Sequence, residues 1–480
     1  MNPYLPLWEH IPDGEPHVFG DRVYLYGSHD RSHGTTFCMD DYVCWSAPLS
    51  DLNDWRREGV VWRKTDDPDN CNPVGYLYAP DVAQGPDGRY YLYYFYSGSA
   101  QRTPSIGVAV CDTPAGQYQY YGKVHLPETT RYLAFDPAVF VNDDGRVWLY
   151  YGSAFQSPKD VIPVQGGAVV ELAQDMKTVL TPPKLTAPNL THAAGTSFAK
   201  HPFFEASSMR KIGGRYYFIY SSMQSHELCY GCGDAPDGPF TFGGVLISNG
   251  DIGMNGNKKA LAQIGNNHGS LVQLGADWYV FYHRQAQRGY FARQGCAEKI
   301  RILPDGTIPQ VEMTSTGLTD ALPAAGGAIN AAYCCNLFGN SSKQLPSIEE
   351  CECEGEKIPC VGGLRTGDTL GFKYLDFAGK VSVRLRWRYS FRYLTGYKAM
   401  TPAALQADGA FILRTALDGP EIGRVTIRGG AGDWENCVGT LDTDGRQALY
   451  LTYTGKGCID LQKIEFASPT EGKRYENVQF

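Results

Sequence analysis

The sequence contains no run approaching 18 consecutive apolar residues, which excludes a conventional membrane-spanning helix. It also lacks an excess of positive charge. Its 43 Lys and Arg face 51 Asp and Glu, for a formal net charge of −8, and the basic residues are scattered. No basic patch for nucleic acid is expected. The opening Met1-Asn2-Pro3-Tyr4-Leu5-Pro6 carries neither the basic nor the apolar region of a secretory signal, so a cytoplasmic location is expected. Several catalytic motifs are missing too. There is no Gly-x-Ser-x-Gly elbow for a serine nucleophile and no His-Glu-x-x-His zinc motif. Gly231-Cys232-Gly233 meets its next glycine only at Gly238, the wrong spacing for a dinucleotide loop.

Gly (55), Pro (29) and Tyr (32) are abundant, with 43% hydrophobic and 20% charged residues. This is a globular profile of many short strands joined by turns, with tyrosines on half-buried sheet faces. The 14 cysteines are expected to be reduced thiols. Cys229 and Cys232 have C-x-x-C spacing but no second such pair, and they sit in a strand-like run, so a metal is not expected there. Cys351, Cys353 and Cys360 are read the same way.

Five segments repeat. Asp21-Arg-Val-Tyr-Leu-Tyr26, Gly88-Arg-Tyr-Tyr-Leu-Tyr93, Gly145-Arg-Val-Trp-Leu-Tyr150, Gly214-Arg-Tyr-Tyr-Phe-Ile219 and Ala276-Asp-Trp-Tyr-Val-Phe281 are each a turn followed by an aromatic strand. Their starts lie 67, 57, 69 and 62 residues apart, enough for four strands and their loops. Five such units predict a five-bladed β-propeller. Ten to twelve residues ahead of each central aromatic stand Asp13, Asp81, Asp136, Glu205 and His268, each opening a short apolar strand. Asp and Glu often begin strands as turn residues. Five matches at one offset instead predict four carboxyl groups and one imidazole around a single axis.

The pattern fades near residue 318. Residues 319–332 are small and apolar and read as a junction. Residues 333–480 alternate with period two, as in Lys380-Val-Ser-Val-Arg-Leu-Arg-Trp387 and Gln447-Ala-Leu-Tyr-Leu-Thr-Tyr453. The chain is therefore expected to be all-β: a propeller over residues 1–318, then a β-sandwich of the jelly-roll kind.

Several carboxyl groups in a tyrosine-lined pocket are the equipment for cleaving a glycosidic bond. One acid protonates the departing oxygen, and another activates water or attacks the sugar. The motifs Ile11-Pro-Asp-Gly-Glu-Pro-His-Val-Phe … Tyr24-Leu-Tyr-Gly-Ser-His-Asp30, Tyr78-Ala-Pro-Asp-Val82, Phe135-Asp-Pro-Ala-Val139, Phe204-Glu-Ala-Ser-Ser-Met209 and Asn267-His-Gly-Ser270 resemble glycoside hydrolase family 43, in order, across all five repeats. The resemblance implies an inverting mechanism with Asp13 as general base and Glu205 as general acid. Asp136 would then orient that acid and raise its pKa. His268 matches an axial histidine that holds calcium or water in many members, and Arg293 an arginine that reaches the substrate pocket. Tyr78 stands where the family usually has Trp, and Ala206-Ser207 replaces its Gly-Pro, so the pocket's shape is expected to depart from the family's. Asp81 is expected to be structural. Glu15 competes with Asp13 for the base, but it lies only nine residues from Tyr24, and Asp13 is preferred.

Beyond residue 332, Gly362-Gly-Leu-Arg-Thr-Gly-Asp-Thr-Leu-Gly-Phe-Lys-Tyr-Leu-Asp-Phe377, Gly432-Asp-Trp434 and Leu461-Gln-Lys-Ile-Glu-Phe466 resemble a family 6 carbohydrate-binding module. Trp434 would stack on a sugar there, or else pack structurally. The expected function is release of terminal xylose or arabinofuranose from plant-cell-wall oligosaccharides, with neither nucleic acid nor membrane as partner and homo-oligomers left open. The alternatives are an endo-arabinanase, a lectin-like propeller, and a phosphorylase whose phosphate would need Arg293 together with Arg284.

Overall fold

A computed structural model of the 480-residue chain describes residues 1–68, 75–97, 105–126, 134–154, 165–323, 327–339, 345–353, 355–390, 406–430 and 432–467. The five repeats are five antiparallel sheets, each built in simple sequential order. Their innermost strands are Glu15–Phe19, Leu77–Gln84, Ala138–Val141, Phe203–Ile212 and Leu271–Leu274. The aromatic repeats form the second strand of every blade: Arg22–Tyr26, Tyr90–Tyr96, Val147–Tyr151, Arg215–Ser222 and Asp277–Gln285. Strand alternation places the residues of these strands on both faces of the blade, where they meet the neighbouring blades. Tyr94 packs with Trp62 and Tyr42 between blades one and two, Tyr151 with Ile106 between two and three, and Phe218 with Trp148 between three and four. Tyr282 lies between blades four and five, and Phe281 with Leu25 between five and one.

Blade five has three strands, ending with Arg293–Ile300. The N-terminal segment is bound along that last strand. Ala297 N–H donates to Asn2 Oδ1 at 2.9 Å, Asn2 Nδ2 donates to Ala297 O at 2.9 Å, and Tyr4 N–H donates to Gly295 O at 3.4 Å. A parallel bridge between Gly14 and Gly269 brings blades one and five together at the axis. A Cβ on Gly269 would lie 1.9 Å from Phe281 O, so only glycine allows this close approach beside His268.

The second domain is all-β as expected. Among the described residues its ten strands hydrogen-bond as one curled sheet, in which two long strands, Thr369–Tyr389 and Glu435–Lys456, pair along their length from Thr369↔Thr452 to Trp387↔Glu435. These bent strands carry the sheet around a single core that includes Phe372, Trp387, Phe411 and Leu451. The stretch read as a junction already belongs to this sheet. Leu322 pairs in parallel with Leu375, and Ala328–Asn330 pairs with the strand Ile459–Ala467; residues 324–326 lie outside the described residues. A buried ion pair crosses between the domains, with Lys373 Nζ 2.7 Å from Asp251 and 3.0 Å from Glu312.

The cysteines differ from expectation in one respect. Cys351 and Cys360 form a disulfide across the hairpin of Ser347–Cys353 and Glu356–Leu364, where they are diagonal neighbours in the register. Cys229 and Cys232 lie three residues apart on the strand Glu227–Gly233, on opposite faces, and both are free thiols.

Candidate active site

The carboxyl groups leave their strands at interruptions. Asp13 and Asp136 sit two residues ahead of innermost strands with φ of 57° and 46°, and Ala206, beside Glu205, has φ 68°. Left-handed backbone costs a non-glycine residue about 1–3 kcal/mol, and such strain concentrates at functional sites. Glu205 is flanked by register shifts on both sides, between Phe203 and Glu205 and between Glu205 and Ser208. A bulge of this kind re-aims a side chain away from the regular pleat.

These kinks deliver Asp13, Asp136, Glu205 and His268 into one pocket of about 640 Å³ at the channel mouth, together with Arg293 and Tyr78. Its floor is deeply buried, and Phe37, Phe95, Phe135 and Phe204 complete an aromatic wall. Tyr290, 50% exposed, stands at the opening. The Tyr78 ring packs against Phe95 and Phe135, with centroids at 5.9 and 5.1 Å.

Asp13 is gripped. Its Oδ1 accepts from Arg293 Nη1 at 2.9 Å, and its backbone N–H donates to His283 Nδ1 at 3.2 Å. His283 Nε2 lies 2.6 Å from Asn266 O, a carbonyl that can only accept, so the proton sits on Nε2 and Nδ1 is free to accept. Arg293 is in turn clamped by Asp30, with Nε to Oδ2 at 2.8 Å and Nη2 to Oδ1 at 3.1 Å. This two-point grip leaves Nη1 aimed at Asp13.

The environments drive the carboxyl groups apart in acidity. Burial would raise Asp13, but the Arg293 guanidinium 2.9 Å away holds it well below the usual carboxylate range. Burial and the charge of Asp13 push Glu205 up to about 7, and Asp136 is raised well above its usual value by burial and by repulsion from Glu205 and Asp13. Asp136 and Glu205 are therefore both pushed toward their protonated forms, while Asp13 is held charged. Asp136 Oδ2 also accepts from Ala206 N–H at 3.0 Å, which ties it to the strand turn beside Glu205. His268 Nδ1 lies 3.9 Å from Asp13 and 3.7 Å from Asp136, and burial lowers its pKa to about 4, leaving a neutral imidazole.

The remaining sequence candidates separate from the pocket. Asp81 is a bracket, accepting from Val82 N–H, from Val139 N–H of the next blade and from His17 Nε2, each at 2.7 Å. Glu15 pairs with Arg210 at 2.8 Å and does not line the pocket, which removes it as a rival base. Arg284 points to the second domain, donating to Ala332 O and Cys334 O at 2.7 and 2.8 Å, so it cannot supply the phosphate site of a phosphorylase. Trp434 is likewise absent from the pocket lining. Sequence reasoning passed over Asp30, His283 and Asn266. Asp30 closes a motif that carries the family resemblance, and a buried acid needs a cation, but its partner lies 263 residues away. Asp30→Ala leaves Arg293 buried with half its compensation, so a stability loss of about 3–5 kcal/mol is expected in urea unfolding.

The model for glycosyl hydrolases family 43 matches residues 9–308. The chain belongs to this family. It is a glycoside hydrolase. A xylosidase/arabinosidase of Thermoclostridium stercorarium is 43% identical over 97% of this chain and 98% of its own length. Xylosidase/arabinosidase 43A of Humicola insolens is 31% identical over 58% of this chain and 89% of its own. Among solved structures, a family 43 β-xylosidase/α-arabinofuranosidase from a compost microbial metagenome, with xylotriose and in a calcium-free form, aligns with TM-score 0.52 and 27% identity over 65% of this chain and 97% of that one. A family 43 arabinoxylan arabinofuranohydrolase from Bacillus subtilis covers 97% of both chains with TM-score 0.51 at 22% identity, a likeness of fold that spans both domains.

Proposed function

We propose that this family 43 hydrolase releases terminal xylose and arabinofuranose from xylan- or arabinan-derived oligosaccharides with inversion at the anomeric carbon. The observation that carries the reading is the convergence of three buried carboxyl groups on one pocket, with Asp13 bound by Arg293 and with Asp136 and Glu205 pushed toward their protonated forms. The names of the relatives support the choice of sugars.

Asp13 accepts a proton from water as the water oxygen bonds to the anomeric carbon. The bond to the leaving oxygen breaks, and that oxygen takes the proton of Glu205. Asp136 acts on Glu205 by fixing Ala206, the next residue of the same turn. The buried floor and the exposed Tyr290 give the pocket one deep end, which suits a chain terminus. Release of xylose or arabinose from 4-nitrophenyl glycosides in phosphate-free buffer tests the proposal. Strict dependence on added phosphate would indicate a phosphorylase, and absence of turnover would indicate a sugar-binding propeller.

The two pKa directions set the pH profile. Asp13 stays charged far into acid, so no acidic limb from the base is expected above pH 4. The acid loses its proton as pH rises through about 7, so kcat/KM falls about tenfold per unit beyond that point. A stopped assay from pH 4 to 9 reads both limbs.

For calcium, the channel offers the neutral His268 imidazole, which has no hydrogen-bond partner among the described residues, beside the Asp13 carboxylate and the Asp136 carboxyl group. That set fits a single imidazole contact to an ion otherwise coordinated by oxygen. Such an ion, held through His268, would supply positive charge to the pocket. Calcium titration followed by thermal unfolding is expected to raise Tm in the wild type and not in His268→Ala.

A further inference from the structure

The sequence leaves Trp434 between sugar stacking and structural packing, and its contacts in the structure are packing ones. The Arg388 guanidinium lies over the ring, 4.7 Å from its centre, and Nε1 donates to Glu352 O at 3.0 Å. Glu352 belongs to the Ser347–Cys353 arm of the hairpin closed by the Cys351–Cys360 disulfide. Trp434 therefore braces that hairpin from the domain side.

The same arm meets the rim of the active site. Ile348 N–H donates to Ala286 O at 3.0 Å, Ser32 Oγ donates to Glu350 Oε1 at 2.9 Å, and Glu349 Oε2 lies 4.0 Å from His33 Nε2. Ala286 begins the loop that carries Tyr290, and Ser32 and His33 belong to the loop that carries Phe37. The two loops are also tied to each other. His33 N–H donates to Gln287 Oε1 at 2.7 Å, Gln287 Nε2 donates to Ser32 Oγ at 3.1 Å, and Phe37 meets Phe291 edge-on at 4.7 Å. His33 and Tyr290 hold left-handed backbone, with φ of 55° and 63°. Non-glycine residues persist there only where their surroundings over-determine them. At this rim, part of those surroundings is the second domain.

We propose that the second domain's hairpin is a positioning element for the leaving-group side of the pocket. Through Ile348, Glu349 and Glu350 it holds the rim loops so that Tyr290 is already in place for the sugar beyond the scissile bond. This rests on the exo-glycosidase reading, in which the pocket mouth receives the leaving group. Preorganisation of a wall lowers the ordering cost of binding and leaves the chemistry on the floor untouched. The hairpin should therefore act on KM for oligosaccharides, and kcat should be spared.

The test compares wild type, Glu349→Ala/Glu350→Ala, Tyr290→Ala and the triple variant on xylotriose and on 4-nitrophenyl β-xyloside. Wild-type turnover of the aryl xyloside tests the exo-glycosidase reading by itself. The double variant is expected to raise KM for xylotriose about 5–10-fold, with kcat on the aryl xyloside within about twofold. Tyr290→Ala is expected to raise KM for xylotriose as well, and the triple variant to add nothing further, because the hairpin acts through Tyr290. An unchanged KM in the double variant, additive effects in the triple variant, or an equal fall of kcat on both substrates would each overturn the proposal.

Discussion

Asp13→Asn is expected to lower kcat about 10⁴-fold on every glycoside, whatever its leaving group. The attacking water must lose its proton in each case, and among the described residues no other group lining the pocket is suited to take it. Glu205 and Asp136 are held protonated by burial and repulsion, and Arg293 is a fixed cation. The amide still fills the space beside Arg293, and Asp30 continues to hold the guanidinium from its other side. The variant should therefore remain folded, which circular dichroism and an unfolding curve check. Steady-state kinetics on alkyl and aryl glycosides measure the loss. Retention of more than a tenth of wild-type kcat would remove Asp13 from the role of base.

Glu205→Gln is expected to split the substrates. Alkyl and natural glycosides, whose oxygens are strongly basic as they depart, should lose about 10³–10⁴-fold in kcat. Aryl glycosides with acidic phenols need little protonation and should lose less than about tenfold. A plot of log kcat against leaving-group pKa, shallow in the wild type, should become steep. An equal loss across the series in a folded variant would assign the acid to a different residue. Asp136 is then the first to consider, since its pKa is also raised and it lies in the same pocket.

The propeller and the positions of its axial residues were legible because both rest on local pattern. Each blade repeats a turn and an aromatic strand, and the residue entering the channel stands at a nearly constant distance before it. In the sequence, Glu15 and Asp13 differ in that distance and in the proline after Glu15; in the structure Glu15 pairs with Arg210 and Asp13 with Arg293. What escaped the sequence depends on contacts between distant segments. Asp30 gains its role from Arg293, 263 residues away, and His283 from the backbone of Asp13 in a different blade. The Cys351–Cys360 bridge was hidden because the thiols meet diagonally across a hairpin, a register that composition does not reveal. The early start of the second domain was hidden for a related reason. Leu322 and Ala328–Asn330 are short edge pairings in a small, apolar stretch, without the alternation that marks a longer strand.

The central claim is that Asp13 drives water directly at the anomeric carbon while Glu205 protonates the leaving oxygen, in a single displacement. Proton NMR of the first product formed from a β-xyloside tests it, before mutarotation mixes the anomers. The account predicts that the α-anomer of xylose appears first and the β-anomer only later, by mutarotation. Initial accumulation of β-xylose would show retention, and would require a covalent intermediate that this assignment of Asp13 does not contain.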